Sequence, residues 1–293
     1  MTKSSLAGGQ FNVHGIVVTF NSQGYVRGAV DAAISCGVRT ISIWDNASSD
    51  NTVSILRSIE SPTLRVTFSQ ENVGFGVAIN RVVEEASPCE KYLLLLNPDC
   101  ILEAPALASM IARADADASV GIVAPGMAYP NGKRGISGGA FPSLLKELAA
   151  LIRIDHLFGE TARRTLLAIL EAVAPRWGIT DYLATQTASD VRSIDWVSGF
   201  CMLVRRDCWE QIGGFDERFF LYFEDIQLCR AARLAGWIVL ADLTSTVVHD
   251  ESASTRGGGK GLHYRRAMWL YFTHYGTNAQ RFVARLVTRR RHA

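Results

Sequence analysis

A chain of 293 residues, 48% hydrophobic and 20% charged, can bury the core of one large α/β domain or of two closely joined lobes. Its formal net charge of +2 excludes a general polyanion binder, so no nucleic-acid partner is expected, and no apolar run reaches the roughly 18 residues of a membrane-spanning helix. The six cysteines (Cys36, Cys89, Cys100, Cys201, Cys208 and Cys229) include no C-x-x-C pair, which argues against a zinc framework and for small core residues in a reducing, cytosolic compartment.

The N-terminal MTKSSLAGGQFNVHG has no apolar h-region, so no signal peptide is expected. GIVVTF at 15–20 predicts a buried first strand, a loop from Asn21 to Gly24, and a helix over 25–36 that ends near Gly37. RTISIW at 39–44 predicts a second strand, which runs out into the polar stretch Asp45 to Thr52, rich in helix N-cap residues. A helix over 52–59, a strand over 64–68, a loop from Gln70 to Gly76 and a helix over 77–86 follow. Leu93-Leu94-Leu95-Leu96 then reads as a strand buried on both faces; Pro98 stops it, and the next residue is the carboxylate Asp99. This alternation of strands and helices predicts βαβ units and a mainly parallel sheet over about the first 125 residues.

Residues 126–140 form a Gly-rich connection. Over 143–173 a helical pattern places Leu144, Leu145, Leu148, Leu151 and Ile152 on one face, which either docks on a membrane or acceptor or is plain protein core. DWVSGFCMLV at 195–204 predicts another buried strand, and a helix over 206–212 ends at Gly213-Gly214. The aromatic segment Phe215 to Phe223 ends in Glu224-Asp225, followed by a helix to about Leu234 that Gly236 ends. A strand over 237–240 and a short extended piece over 245–248 lead to His249. Beyond a Gly-rich loop at 257–261, Arg281, Arg285, Arg289, Arg290 and Arg291 make a basic tail, suited to an anionic membrane surface or nucleic acid, or simply solvated.

Four polar points ask for a common explanation. Asp45 and Asp99 each follow a strand of a parallel sheet, so both lie on the edge where open α/β sheets bind ligands. An ionised Asp45 accepts hydrogen bonds only, which suits a base edge with an N–H such as uracil, thymine or guanine; a helix cap is the structural alternative. Asp99 offers a hard oxygen for a divalent cation against a phosphate, or an Asx turn. Asp225 follows an apolar segment whose burial would raise its pKa and make it a usable general base; equally, it is a helix N-terminal acid. Glu224 beside it could do the same work. A lone histidine is usually structural, yet the His249 imidazole would suit Mn²⁺ together with Asp99. No G-x-G-x-x-G follows the first strand, and Gly257-Gly258-Gly259-Lys260-Gly261 lacks the Ser/Thr of a P-loop. These absences count against a dinucleotide oxidoreductase and a P-loop kinase and leave a metal-assisted diphosphate site.

Taken in order, VVTFNS (17–22), DNASSDNT (45–52), ENVGFGVAIN (71–80), LLLLNPDC (93–100), WVSGFCMLVRR (196–206), GGFDERFFLYFEDIQLCR (213–230) and VVHDESAST (247–255) resemble the inverting family 2 glycosyltransferases of the GT-A fold. The resemblance implies a Rossmann-like central sheet flanked by helices. Its donor-binding half would occupy 11–125, its acceptor-side half 126–255 with a helical insertion at 143–190, and a mobile loop, helix and basic tail 256–293. It implies a nucleotide-sugar donor, with dTDP or UDP as carrier, and Mn²⁺ or Mg²⁺ as cofactor. The donor would lie against Thr19, Phe20, Asn21, Asp45, Asn72, Gly74, Asn80, Asn97 and Asp99; the metal would sit on Asp99 and His249; Asp225 matches the catalytic base, with Glu224 beside it. Two departures stand out. Asn97 replaces the first acid of the D-x-D-like motif, and Gln227 stands where many relatives carry a further Asp. The NPD form and His249-x(4)-Ser254 look most like rhamnosyltransferases that build polysaccharides on a glycan or lipid-linked acceptor, in the cytoplasm or peripherally at the inner face of the membrane. A sugar nucleotidyltransferase and a non-catalytic nucleotide-sugar-binding module are the alternatives.

Overall fold

A computed structural model describes residues 11–86, 89–144, 147–148, 190–250 and 260–289. Its first half alternates as expected: β1 (Phe11–Thr19), α1 (Val26–Ser35), β2 (Val38–Asp45), α2 (Thr52–Arg57), β3 (Leu64–Phe68), α3 (Phe75–Glu85) and β4 (Tyr92–Leu96). A two-residue β5 (Cys100–Ile101), α4 (Ala104–Ala116) and β6 (Val120–Ala128) follow. Strands β3, β2, β1 and β4 pair in parallel in that spatial order, so Thr19, Asp45 and the residues after Leu96 emerge on one edge.

The leucine strand shows why that order is stable. All four side chains of Leu93–Leu96 are buried. Strand alternation sends Leu93 and Leu95 to one face, with Ile79 and Trp209, and Leu94 and Leu96 to the other, with Met110 and Phe200. Burying each leucine contributes roughly 1.5–3 kcal/mol, and a register slip of one residue would exchange the two sets.

The second half departs from a simple parallel sheet. After β7 (Gly138–Gly139) and β8 (Val191–Ser193), the run expected as one strand over 195–204 is two: β9 (Trp196–Val197) and β10 (Cys201–Arg205), separated by Ser198-Gly199-Phe200. The two belong to different sheets, since β9 pairs with β7 while β10 enters the main sheet antiparallel between β4 and β6. Apolar continuity hid this break. β10 supplies its buried run, but Ser198 N–H turns aside to donate to the Ser137 carbonyl at 2.9 Å. α5 (Arg206–Ile212) and α6 (Glu224–Leu234) precede β11 (Ile238–His249), which unites the two pieces expected at 237–240 and 245–248 through an irregularity between Asp242 and Thr246. β11 runs parallel to β6 and carries antiparallel β8 and then β5 on its other side. Helices α7 (Lys260–Tyr275) and α8 (Asn278–Arg289) close the described chain.

A third hydrophobic cluster joins α7 to the aromatic segment ahead of α6: Phe219, Phe223 and Ile226 pack with Met268, Tyr271 and Phe272. The expected helix over 143–173 lies mostly outside the described residues, and so do the loop at 256–259 and Ser254. Leu144, which is described, is buried in this third cluster, as the core alternative for its face requires.

Candidate active site

The first ligand-edge element is built on Asp45. Its side chain is buried, and Oδ1 accepts hydrogen bonds from Thr19 Oγ1 at 2.8 Å and Ser48 Oγ at 2.6 Å, while Oδ2 accepts from Ser48 N–H at 2.9 Å. A carboxylate has about four acceptor directions, so one remains on Oδ2 for an incoming N–H. Both structural and ligand roles are therefore open to the same side chain. Asn21 and Ala47 hold left-handed backbones at φ 50° and 59°. Side chains tie these loops together: Ser48 Oγ accepts from Asn21 N–H at 2.8 Å, and Asn21 Oδ1 accepts from Ser49 N–H at 2.8 Å. Phe20 beside them is half exposed, at 51%, with its ring available to a planar ligand. Non-glycine residues are rarely held at positive φ, and such strain clusters at functional sites.

Asn46 was not singled out from sequence. It is buried, its Oδ1 accepts from Trp44 Nε1 at 3.0 Å and from Val73 N–H at 3.3 Å, and its Nδ2 donates to the Gly74 carbonyl at 3.2 Å. It thus locks the 45–52 loop to the 71–76 loop. Within the latter, Asn72 Oδ1 accepts from Gly74 N–H at 3.0 Å. Gly74 has φ +90°, and a Cβ there would stand 2.7 Å from the Phe220 carbonyl oxygen. The loop so brings Phe220 against Gly74, and Phe75 N–H donates to the same carbonyl at 3.0 Å.

Asn80 is a correction. Its Nδ2 donates to the Phe215 carbonyl at 2.9 Å and to Glu217 Oε1 at 3.1 Å, and its Oδ1 accepts from Phe215 N–H at 3.0 Å. With its amide spent in the scaffold and its side chain buried, Asn80 anchors the loop ahead of the aromatic segment and offers nothing to a donor.

Asp99 and His249, 150 positions apart, meet because β5 pairs with β11 in the register His249↔Cys100. His249 Nε2 lies 3.1 Å from Asp99 Oδ1. Both side chains are buried, and no other donor among the described residues reaches an Asp99 oxygen. His249 Nδ1 faces Met127 Sδ at 3.2 Å, and Asn97 Nδ2 stands 3.4 Å from Nε2. With the proton on Nε2 the ring donates to Asp99 Oδ1; with it on Nδ1 the Nε2 lone pair faces that oxygen across 3.1 Å, acceptor to acceptor. Such a pair needs a proton on Nε2 or a cation between its atoms. Asp99, Cys100 and His249 present ligand atoms within 4.8 Å of one another. The Cys100 thiol is a poor third ligand for a hard ion: its Sγ donates to the Phe200 carbonyl at 3.3 Å, and burial pushes its pKa well above the ordinary range. An oxygen–nitrogen pair with open positions remains, which fits Mn²⁺ or Mg²⁺ shared with ligand oxygens.

The acid pair at the start of α6 sits on a strained turn, with Tyr222 and Phe223 at φ 71° and 65°. Asp225 Oδ2 accepts from Gly199 N–H at 3.0 Å and Oδ1 from its neighbour Ile226 N–H at 2.8 Å. Glu224 is buried and its Oε2 has no partner. Burial raises the pKa of both, and the Asp225 charge raises that of Glu224 further. The two N–H donors favour ionised Asp225, so Glu224 holds its proton to higher pH.

The break between β9 and β10 connects the two chemical groups. Gly199 N–H reaches Asp225, and the next residue, Phe200, stacks on the His249 ring at 5.3 Å and 16°. The Phe200 carbonyl accepts from Asn97 N–H at 2.8 Å as well as from Cys100. Gly199 and Phe200 were legible only as part of an apolar strand.

Against known proteins, a family described as glycosyltransferase like family 2 matches residues 12–271. The N-acetylglucosaminyl-diphospho-decaprenol L-rhamnosyltransferase of Mycobacterium tuberculosis is 27% identical over 227 residues, 74% of this chain and 68% of that protein. Two solved structures are similar: the mannosyltransferase PcManGT from Pyrobaculum calidifontis in complex with GDP-Man and Mn²⁺ and S. aureus TarS 1-349 in complex with UDP-GlcNAc. The first has a TM-score of 0.58 at 16% identity over 90% of this chain and 64% of that one. The second has a TM-score of 0.55 at 15% identity over 89% of this chain and 66% of that one. The chain thus spans about two thirds of each, and at these identities the likeness is one of fold.

Proposed function

The chain belongs to the family 2 glycosyltransferases and has their GT-A fold, and from that premise we propose that it moves a sugar, rhamnose in the favoured case, from a dTDP- or UDP-sugar to a hydroxyl of a glycan or lipid-linked glycan, with inversion. The observation that carries the reading is the buried Asp99 carboxylate meeting His249 Nε2 at 3.1 Å on the same sheet edge as Asp45.

Phe20, Asn21 and Asp45 receive the nucleoside, and the buried Thr19 hydroxyl, which donates to Asp45, orients that carboxylate. The free Oδ2 direction of Asp45 accepts the N3–H of uracil or thymine, bases that, unlike adenine and cytosine, present a donor there. Asn72 and Gly74 shape the neighbouring loop. Asn97 brings no charge to the strand end, so Asp99 and His249 are the groups that hold the ion. A divalent ion such as Mn²⁺ or Mg²⁺ held by these residues would supply positive charge to the leaving diphosphate. Asp225 takes the proton of the acceptor hydroxyl as that oxygen bonds to the anomeric carbon. The bond from that carbon to the diphosphate oxygen breaks, its electron pair leaves with the diphosphate, and attack from the opposite face inverts the centre. Gly199 N–H holds Asp225 in place and favours its ionised form. The rhamnose preference and the lipid-linked acceptor rest on the likeness to the mycobacterial enzyme. A site acting on such an acceptor works beside the membrane, in the cytoplasm at its inner face.

The test is a transfer assay with dTDP-rhamnose, UDP-rhamnose and GDP-mannose against a polyprenyl-diphosphate-linked N-acetylglucosamine acceptor, with Mn²⁺ or Mg²⁺. We expect release of nucleoside diphosphate from the dTDP or UDP donor and an inverted linkage by NMR. Pyrophosphate release from a nucleoside triphosphate and sugar phosphate, with no transfer, would replace this reading by nucleotidyl transfer.

A further inference from the structure

The end of the sheet opposite the ligand edge holds a polar cavity of about 220 Å³, with His14, Arg39, Thr40, Arg65, Cys89 and Glu90 in its lining. It lies where the parallel strands begin. His14 pairs with Thr40, and Ser42 pairs with Arg65, so β1, β2 and β3 bring these side chains to one face. Thr19, on the ligand edge, is five positions further along β1, about 16 Å at roughly 3.3 Å per residue. His14 interrupts an apolar strand and is 1% exposed. Its Nε2 meets Ser42 Oγ at 2.8 Å, while its Nδ1 has no partner. Burial lowers the His14 pKa to about 4, so the ring is neutral near pH 7, with one proton for its two nitrogens. Glu90 is buried as well. Its Oε1 accepts from Thr40 Oγ1 at 2.9 Å, and its Oε2 stands 3.8 Å from Arg206 Nη2, a buried nitrogen with no hydrogen bond. Arg39 and Arg65 are exposed and make no hydrogen bond or ion pair with the described residues. Three guanidiniums therefore gather at one carboxylate.

We propose that this cavity binds a phosphate group, as inorganic phosphate or as the end of a phosphate monoester, with Arg39 and Arg65 on its oxygens and His14 Nδ1–H donating from the buried side. Charge selects an anion, because Glu90 alone does not balance the guanidiniums that meet there. A metal ion is the wrong occupant for the same reason. Nor do His14, Cys89 and Glu90 converge to ligate one: among the described residues the group that does so is Asp99, Cys100 and His249. Water would satisfy His14 but brings no charge for Arg39 and Arg65. Donors arriving from three strands suit a tetrahedral oxyanion, whose oxygens point apart, better than a planar carboxylate. Glu90 then narrows the kind of oxyanion. An acceptor-only ion is repelled by a carboxylate on the wall, whereas a phosphate that retains one proton donates its P–OH to a Glu90 oxygen. Phosphate groups keep such a proton up to about pH 6, their second pKa. Sulfate has none to give. His14 takes the tautomer this ligand requires when Ser42 Oγ–H donates to Nε2. The site needs neither metal nor nucleotide and is separate from the transfer reaction proposed above.

Titration calorimetry of the full chain with inorganic phosphate at about pH 6 tests this, in buffer with EDTA so that no divalent ion serves the donor edge. One saturable site is expected, with sulfate bound about tenfold or more weakly, because it leaves Glu90 without a donor. Arg39→Gln/Arg65→Gln should weaken phosphate by about tenfold or more, since each guanidinium contributes charge-assisted hydrogen bonds. Both arginines are exposed, so the thermal midpoint without phosphate should not move and a loss of binding cannot be blamed on unfolding. Asp99→Ala should bind phosphate as the native protein does, which separates this cavity from the donor edge and leaves the two proposals to fail independently. Glycerol phosphate tells the two sources apart: tighter binding than phosphate makes the ligand a monoester, and equal or weaker binding makes it inorganic phosphate. The proposal is overturned by the absence of saturable binding up to about 10 mM phosphate, by equal affinity in the double arginine variant, or by sulfate binding as tightly as phosphate. Loss of phosphate binding in Asp99→Ala would overturn it too, because the anion would then sit at the donor edge.

Discussion

Asp225 and Glu224 are adjacent carboxyls with different surroundings, and that difference predicts different responses to substitution. Asp225 has two N–H donors and partial access to solvent; Glu224 is buried with an unpartnered oxygen. Asp225→Asn should cost about 10²–10⁴-fold in kcat with donor affinity retained, whereas Glu224→Gln should stay within a few fold, because Glu224 is already protonated where Asp225 works. The reverse ranking would transfer the base to Glu224. Since the ionised form is required and burial raises the Asp225 pKa above its ordinary 3.8, the acid limb of the kcat/KM profile should lie above that value, with activity falling as pH drops through it. Stability runs the other way. The folded pair holds protons that the unfolded chain would release, so its contribution is largest in acid and is lost as pH rises through the raised values. Glu224→Gln should therefore flatten the decline in stability toward alkaline pH, as thermal melts across pH would reveal. Sequence could place both acids after an aromatic segment, but the donors that separate them come from Gly199 and from the turn of α6 itself.

At the scale of elements, the loops after β2 and before α3 act as one body with the aromatic segment. Gly74 is its hinge point, with φ +90° and no room for a Cβ beside the Phe220 carbonyl. Gly74→Ala should destabilise the protein by roughly 1–3 kcal/mol and displace Phe220. Calorimetric melting measures the first effect and a loss of turnover the second; an unchanged midpoint would contradict the contact. The aromatic segment is fastened from its far side too, where Arg218 bonds to Asp216 and both reach Tyr275 of α7. Burial pushes the Asp216 carboxyl up, but hydrogen bonds from Arg218 and Tyr275 outweigh it and hold the carboxyl at about 2. Most of these elements were legible from hydrophobic period and from Gly and Pro punctuation, as with β3 and α5, which fall on the predicted residues. The split between β9 and β10 was not, because a change of hydrogen-bond partner leaves no mark in an apolar run. Nor was the continuity of β11, whose irregularity at Asp242–Thr246 looks in sequence like a gap between two strands.

Across the whole molecule, the site is assembled by sheet order. Parallel β1, β2 and β4 bring Thr19, Asp45 and Asn97 to one edge, and β11 returns through β5 to set His249 on Asp99. Metal and nucleotide binding should then report on the global fold. A nucleoside diphosphate at about 100 times its Kd adds about 2.7 kcal/mol to the folded state. The accompanying rise in Tm should require Mn²⁺ or Mg²⁺ and should vanish in Asp99→Ala; a metal-independent shift retained by that variant would place the ion elsewhere. The sequence by itself determined the alternating α/β order, the buried leucine strand and the order of motifs that marks the family, because these are local periods and spacings along one chain. Only the tertiary structure decided which polar residues share a crevice. It spent Asn80 on the scaffold, brought in Asn46, Gly199 and Phe200, and left Asp99 facing an imidazole where its sequence neighbour is the uncharged Asn97. The physical reason is that a polar group's role follows from which donors and acceptors remain free after folding, and the strands that settle this for Asp99 lie 150 positions apart.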